Sequence, residues 1–208
     1  MREAVAAGLQ IESEFVAAGA APVSGSVVFE LAPGVVERVA STDSPQPVLA
    51  VARIPPPALT LAGAAFVLVG DRLADPGNVG TMLRSAEAAG LDGLVLTAGS
   101  VDPYNPKTVR ASAGALFRVP VLGAGLDAVR EGGLRIIGTS SHRGVGHTSA
   151  DLTGRIAIVV GNEAHGLGDD TPVDEWVTIR HQGRGESINV AMAATVLCFE
   201  ACRQRQPD

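Results

Sequence analysis

Arg155-Ile156-Ala157-Ile158-Val159-Val160-Gly161 is an almost unbroken apolar run closed by a glycine. A strand with one wet face alternates apolar and polar residues. A run without alternation suits a strand covered on both sides, as at the centre of a parallel sheet. Outward from it the pattern alternates. Candidate strands cover 64–70, 93–97, 118–122, 134–139, 155–161 and 176–180, with helical stretches at 79–89, 106–114, 125–131 and 188–204. Strands alternating with helices predict an α/β fold, a mostly parallel sheet with helices on both faces.

Upstream, Ile54-Pro55-Pro56-Pro57 interrupts any helix or central strand and marks a stiff, extended linker at 55–60. Residues 1–54 then form one part and 61–208 another. Residues 2–18 read first as helix, then as a strand at Glu14-Phe15-Val16. Further strands are expected at 27–30 and 48–52 and a short helix at 33–40.

Bulk properties narrow the function. The chain has 208 residues, 46% of them hydrophobic, enough for a substantial core. No apolar run reaches the roughly 18 residues of a membrane span, and charges at Arg2, Glu3, Glu12 and Glu14 break any secretory signal; the expectation is cytoplasmic. The net charge of −6 argues against a uniformly basic nucleic-acid surface. Local patches remain: Tyr104 to Arg118 holds Lys107, Arg110 and Arg118 without an acid, and Arg180 and Arg184 flank a glycine-rich turn. These are candidate phosphate contacts. Cys198 and Cys202 are four apart on one helix, poorly placed for a disulfide and too few for a metal site; no metal is expected.

Three stretches follow predicted strands. Asp75-Pro76-Gly77-Asn78-Val79-Gly80-Thr81-Met82-Leu83-Arg84 opens a helix whose Val79, Met82, Leu83 and Ala86 should face the sheet, with Asn78 as its cap, Gly90 as its stop and Arg84 free to reach a cleft. Gly161-Asn162-Glu163-Ala164-His165-Gly166-Leu167 puts Glu163 at the carboxyl end of a central strand, where α/β proteins place ligands. Ser187-Ile188-Asn189-Val190 opens the last helix, with Ser187 as its cap. Ile188, Met192, Thr195, Val196 and Phe199 lie in phase for a packing face. Helix mouths of this kind present backbone N–H groups to polar ligands. Gly-x-Gly-x-x-Gly is absent after the first strand, which counts against a dinucleotide-dependent oxidoreductase.

The order and separation of Asn78-x-Gly80-x-x-x-Arg84, Val160-Gly161-Asn162-Glu163-Ala164-His165-Gly166-Leu167 and Ser187-Ile188-Asn189-Val190 resemble those of the SpoU/TrmH class of the SPOUT superfamily. These are RNA 2′-O-ribose methyltransferases that use S-adenosyl-L-methionine (AdoMet). The resemblance runs from residue 61 to the end. The preceding part resembles a partial L30e-like RNA-binding domain, with its opening helix and strand missing. Ala164, Arg180 and Ile188 stand where Gly, Pro and Leu are common in the class.

The resemblance implies a C-terminal trefoil knot. It implies catalytic roles for Arg84, Asn78, Glu163, Ser187 and Asn189, and an AdoMet pocket formed by Gly161, Ile179 and Ile188 and bordered by Thr139 and Ser140. Lys107, Arg110 and Arg184 would contact RNA. The class precedent makes Arg84 the base. A guanidinium stays protonated below about pH 12, so a phosphate clamp is the other reading. The implied substrate is large-subunit rRNA, with tRNA or a nonenzymatic RNA-binding role as alternatives. A homodimer is implied, built through the last helix with its small residues Ala191, Ala193, Ala194 and Ala201.

Overall fold

The computed structural model describes residues 1–40, 42, 44–56, 58–180 and 187–206. The chain divides into two compact units, Met1–Pro56 and Pro57–Asp208.

Among the described residues the second unit has seven strands: β4 (Phe66–Gly70), β5 (Gly93–Leu96), β6 (Val121–Gly123), β7 (Arg135–Thr139), β8 (Val145–Gly146), β9 (Ile156–Val160) and β10 (Glu175–Thr178). Their order is β6-β5-β4-β9-β7-β10-β8, and every pairing is parallel. The apolar run that opened the sequence is β9. It lies between β4 and β7, and all five residues of both β4 and β9 are buried. Side chains on a strand alternate between faces. Phe66, Leu68, Ile156, Ile158 and Val160 therefore join one core with α3 (Pro76–Ala88) and α6 (Val190–Arg205). Val67, Val69, Ala157 and Val159 join a second core that includes Val129 of α5 (Leu126–Glu131). One run serves two cores, which is why it shows no alternation.

Several element boundaries differ from those the sequence pattern suggests. Helix α3 starts at Pro76, not 79. Its cap is Asp75, whose side chain accepts from Gly77 N at 2.6 Å. Asn78 is inside the helix and does not cap it. Val79, Met82, Leu83 and Ala86 are buried as the spacing predicts, and Gly90 follows in the left-handed region at φ 70°. The stretch 106–114 is shorter in helix: α4 covers Pro106–Ala111, capped by Asn105, and a 3-10 turn follows at Ala115–Phe117. The strand expected at 118–122 is β6, and two-residue β8 had no apolar run to announce it. Asn189, not Ser187, caps α6, accepting from Ala191 N and Met192 N.

In the first unit, α1 (Arg2–Ala6) precedes a three-stranded sheet of order β2-β1-β3: β1 is Ile11–Ala17, β2 Val27–Leu31 and β3 Val48–Ala52. Strand β1 pairs parallel with β2 and antiparallel with β3, and α2 (Val35–Val39) follows β2. Buried Glu14 has its carboxylate satisfied by Val23 N at 2.9 Å and Ser24 N at 3.0 Å. Burial pushes that carboxyl up, but the N–H donors outweigh it and leave it below the ordinary carboxylate value.

Candidate functional site

Three loops meet at the carboxyl ends of β4 and β9 and at the start of α6. Glu163 follows β9 and reaches across to the loop after β4. One oxygen accepts from Ala74 N at 3.1 Å and the other from Asp75 N at 3.0 Å. The second oxygen also accepts from Asn78 Nδ2 at 3.0 Å. Asn189 Nδ2 then donates to Asn78 Oδ1 at 3.0 Å, while Asn189 Oδ1 caps α6. Glu163, Asn78 and Asn189 thus form one continuous chain of hydrogen bonds through all three motifs. Burial raises the Glu163 carboxyl. Donation from Asn78, from the backbone of Ala74 and Asp75 and from its own N–H lowers it further than burial raises it, so it sits below the ordinary carboxylate value.

The turn carrying Glu163 has its own support. Asn162 Oδ1 accepts from Ala164 N at 2.9 Å, Asn162 Nδ2 donates to Arg72 O at 2.9 Å, and Gly166 N donates back to Asn162 O at 2.8 Å. A Cβ on Gly161 would stand 2.2 Å from the Gly166 carbonyl carbon, so only glycine lets the turn close on the strand end. Asn162 and Asp75 join the site residues that the motifs suggest. Both had a legible signal: an Asx residue opening a turn, and an Asp directly before a helix-starting proline.

A cavity of about 770 Å³ opens beside these loops. It is lined by Thr139 and Ser140 at the end of β7, by Gly161 to Asp169, by Val177 and Ile179 of the β10 region, and by Ser187, Ile188 and Asn189. Such a volume suits a nucleoside-sized ligand. All five residues expected to form a cofactor pocket therefore line one cavity, together with Glu163, Ser187 and Asn189. Ser140 N donates to Val177 O at 3.0 Å, which holds the β7 end against β10.

The cationic candidates fall elsewhere. Arg84 is exposed on α3 and is not among the cavity-lining residues, because the buried stripe of α3 takes Val79, Met82, Leu83 and Ala86 and leaves Arg84 outside. Exposed Lys107 sits in the first turn of α4, with Nζ 3.3 Å from the Asp75 carboxylate that caps α3. Arg110 is exposed on the same helix. Arg184 lies outside the described residues. Among the described residues no cluster of His, Cys, Asp and Glu is arranged to hold a metal ion, and no helix is long and apolar enough to cross a membrane. The stripe Ile188, Met192, Val196 and Phe199 is exposed rather than packed inside. Ala191, Ala194, Leu197, Cys198 and Ala201 are the buried face of α6.

A parallel sheet with a cavity at its strand ends and three loops joined there places the second unit in the α/β class. Residues 65–199 match the model of the SpoU rRNA Methylase family, and the chain belongs to that family. It is similar to a Bacillus subtilis (strain 168) 23S rRNA (guanosine(2553)-2′-O)-methyltransferase, with 35% identity over 184 residues, covering 85% of this chain and 73% of that one. A Streptomyces viridochromogenes 23S rRNA (uridine(2479)-2′-O)-methyltransferase is 40% identical over 147 residues, 65% of this chain but only 51% of its own length. Among solved structures, an AdoMet-bound rRNA methyltransferase from Sinorhizobium meliloti superposes with a TM-score of 0.83 at 26% identity, covering 99% of this chain and 84% of that one. The SpoU methyltransferase AviRb from Streptomyces viridochromogenes, in complex with AdoMet, gives 0.82 at 29% identity, covering 98% and 86%.

Proposed function

We propose that this protein is an AdoMet-dependent RNA methyltransferase acting on a ribose 2′-hydroxyl, in large-subunit rRNA ahead of tRNA. The observation that carries the reading is the Glu163–Asn78–Asn189 chain beside the cavity, which joins three motifs across a span of 111 residues. The named relatives support rRNA as the substrate, and the AdoMet-bound neighbours support the cofactor. The cavity fits that group: nucleoside-sized, lined by Ser and Thr hydroxyls and by a strand end kept free of side chain at Gly161.

When bound, AdoMet supplies a methyl group on a sulfonium, already activated for transfer. The protein must hold the ribose hydroxyl in line with that carbon and provide for its proton. Glu163 has its carboxylate committed to Ala74, Asp75 and Asn78, so it positions the first loop rather than attacking substrate. Asn189 holds Asn78 from the other side. Ser187 is exposed at the cavity wall, free to meet a hydroxyl of the substrate. The exposure of Arg84 favours a phosphate clamp over a buried base. Lys107 and Arg110 extend the same phosphate-facing role along α4, and Arg184 is assigned to it by resemblance.

The same reading includes a trefoil knot, an L30e-like RNA-binding domain at residues 1–54, a methyltransferase domain at 61–208, a cytoplasmic location and a homodimer. The knot is favoured by β10, the last strand among the described residues, inserting between the consecutive strands β7 and β8. The dimer is favoured by the apolar stripe of Met192, Val196 and Phe199 on α6, continued by Ile188 just before it, exposed by 63%, 39%, 48% and 37%. The alanines that suggested it in the sequence do not all serve: Ala191, Ala194 and Ala201 are buried within the protomer.

Labelled AdoMet tests the reading with large-subunit rRNA and tRNA transcripts. Methyl incorporation at a ribose of the rRNA is expected. RNA binding without incorporation into either pool overturns the enzyme in favour of a binding module, and incorporation into tRNA alone overturns the substrate.

A further inference from the structure

Arg143 is the one Arg or Lys among the described residues that line the cavity. It sits in the loop between β7 and β8, with its guanidinium carbon 3.8 Å from the centre of a Trp176 ring. Its Nη2 is 3.0 Å from Asp169 Oδ1, on the loop that follows β9. The next residue explains the placement. Gly144 has φ 110°, and a Cβ there would stand 2.3 Å from the Trp176 carbonyl oxygen. The loop is thereby seated against β10, and Arg143 is delivered onto the ring of Trp176.

The stack fixes where the guanidinium is, and a stacked arginine keeps its N–H edge for an anion. The partner now on that edge is weakly held. The Asp169 side chain is 96% exposed, and an ion pair so open to water contributes little. Exchange of Asp169 for another carboxylate is therefore nearly free. The cavity's other carboxylate, Glu163, accepts instead from Ala74, Asp75 and Asn78. A ligand carrying a carboxylate into this cavity finds one fixed cationic fork among the described lining residues.

Resting on the AdoMet reading of the cavity, we propose that Arg143 binds the carboxylate at the amino-acid end of the cofactor, with Asp169 competing for the same guanidinium edge. Trp176 is the platform that holds the fork in place.

Calorimetric titration with AdoMet and with 5′-methylthioadenosine, which lacks the amino-acid end, separates the possibilities. Arg143→Met is expected to weaken AdoMet by about ten- to a hundredfold and to leave methylthioadenosine within about twofold. Asp169→Asn is expected to tighten AdoMet by about two- to fivefold. Unchanged AdoMet affinity in Arg143→Met overturns the proposal. So does an equal loss for both ligands, which marks a damaged pocket, and so does weaker AdoMet binding by Asp169→Asn. If the wild-type protein binds neither ligand, the cofactor reading falls as well, an outcome distinct from selective failure of the variants.

Discussion

Gly80 stands inside the Asn78-x-Gly80-x-x-x-Arg84 motif, yet its role is packing. A Cβ on it would lie 2.4 Å from Ala111 Cβ and 2.9 Å from the backbone of Ala111 and Ser112. Helices α3 and α4 meet there, so Gly80→Val should destabilise the protein by about 1–3 kcal/mol in urea unfolding. Two neighbours divide capping from function. Asp75→Ala removes the real cap and should lower stability by about 1 kcal/mol. Asn78→Ala leaves the cap in place and should act mainly on methyl transfer, read in the labelled-AdoMet assay. Glu163 makes a prediction of definite sign. Its carboxyl is depressed in the folded protein, so the stability it contributes is present above its unfolded value and lost as pH falls through the lower folded value. AdoMet affinity should be insensitive to this group between about pH 6 and 8 and fall only under acid conditions. Glu163→Gln replaces an acceptor oxygen with a donor facing donors. It should weaken the assembled site by about tenfold in AdoMet affinity at neutral pH, and an unchanged value would refute the positioning role.

Helix α6 shows what an element-scale reading of sequence can and cannot reach. Its existence and length were legible from residues 188–204, and the helix runs Val190–Arg205. Its orientation was not. Both faces are apolar, mostly small residues beside Leu197 on one and larger ones on the other, and periodicity alone favours the larger ones as core. The structure buries Ala191, Ala194 and Ala201, because α6 lies close against α3 and the sheet; Ser85 and Thr195 hydroxyls are 2.6 Å apart across that contact. Ala194→Leu should therefore destabilise by about 1–3 kcal/mol in urea. Met192→Glu, on the exposed face, should leave monomer stability within about 0.5 kcal/mol. Under the dimer proposal it should also shift the light-scattering mass from twice 21.1 kDa towards the single chain. A wild-type mass of one chain would refute the dimer.

At the scale of the molecule, the parallel sheet places the site. Ile158 is fully buried at the middle of β9, between β4 and β7. Ile158→Ala should cost about 2–5 kcal/mol of stability by urea denaturation. The sequence by itself determined the class of fold, since a five-residue run without polar alternation leaves few places for a strand except the interior of a two-faced sheet. It also marked out the three loops that meet there, because Asn78, Glu163 and Ser187 to Asn189 each follow a strand that its own apolar pattern identifies. Only the tertiary structure decided the strand order, with β4 beside β9 and β10 between β7 and β8. Only it joined Asn78 to Glu163 and Asn189, set Arg84 outside the cavity, and brought Arg143 onto Trp176 beside Asp169. The physical reason is range. Period and capping are written in neighbouring residues, whereas hydrogen bonds across 85 and 111 positions exist only after the core has fixed which strand ends lie side by side.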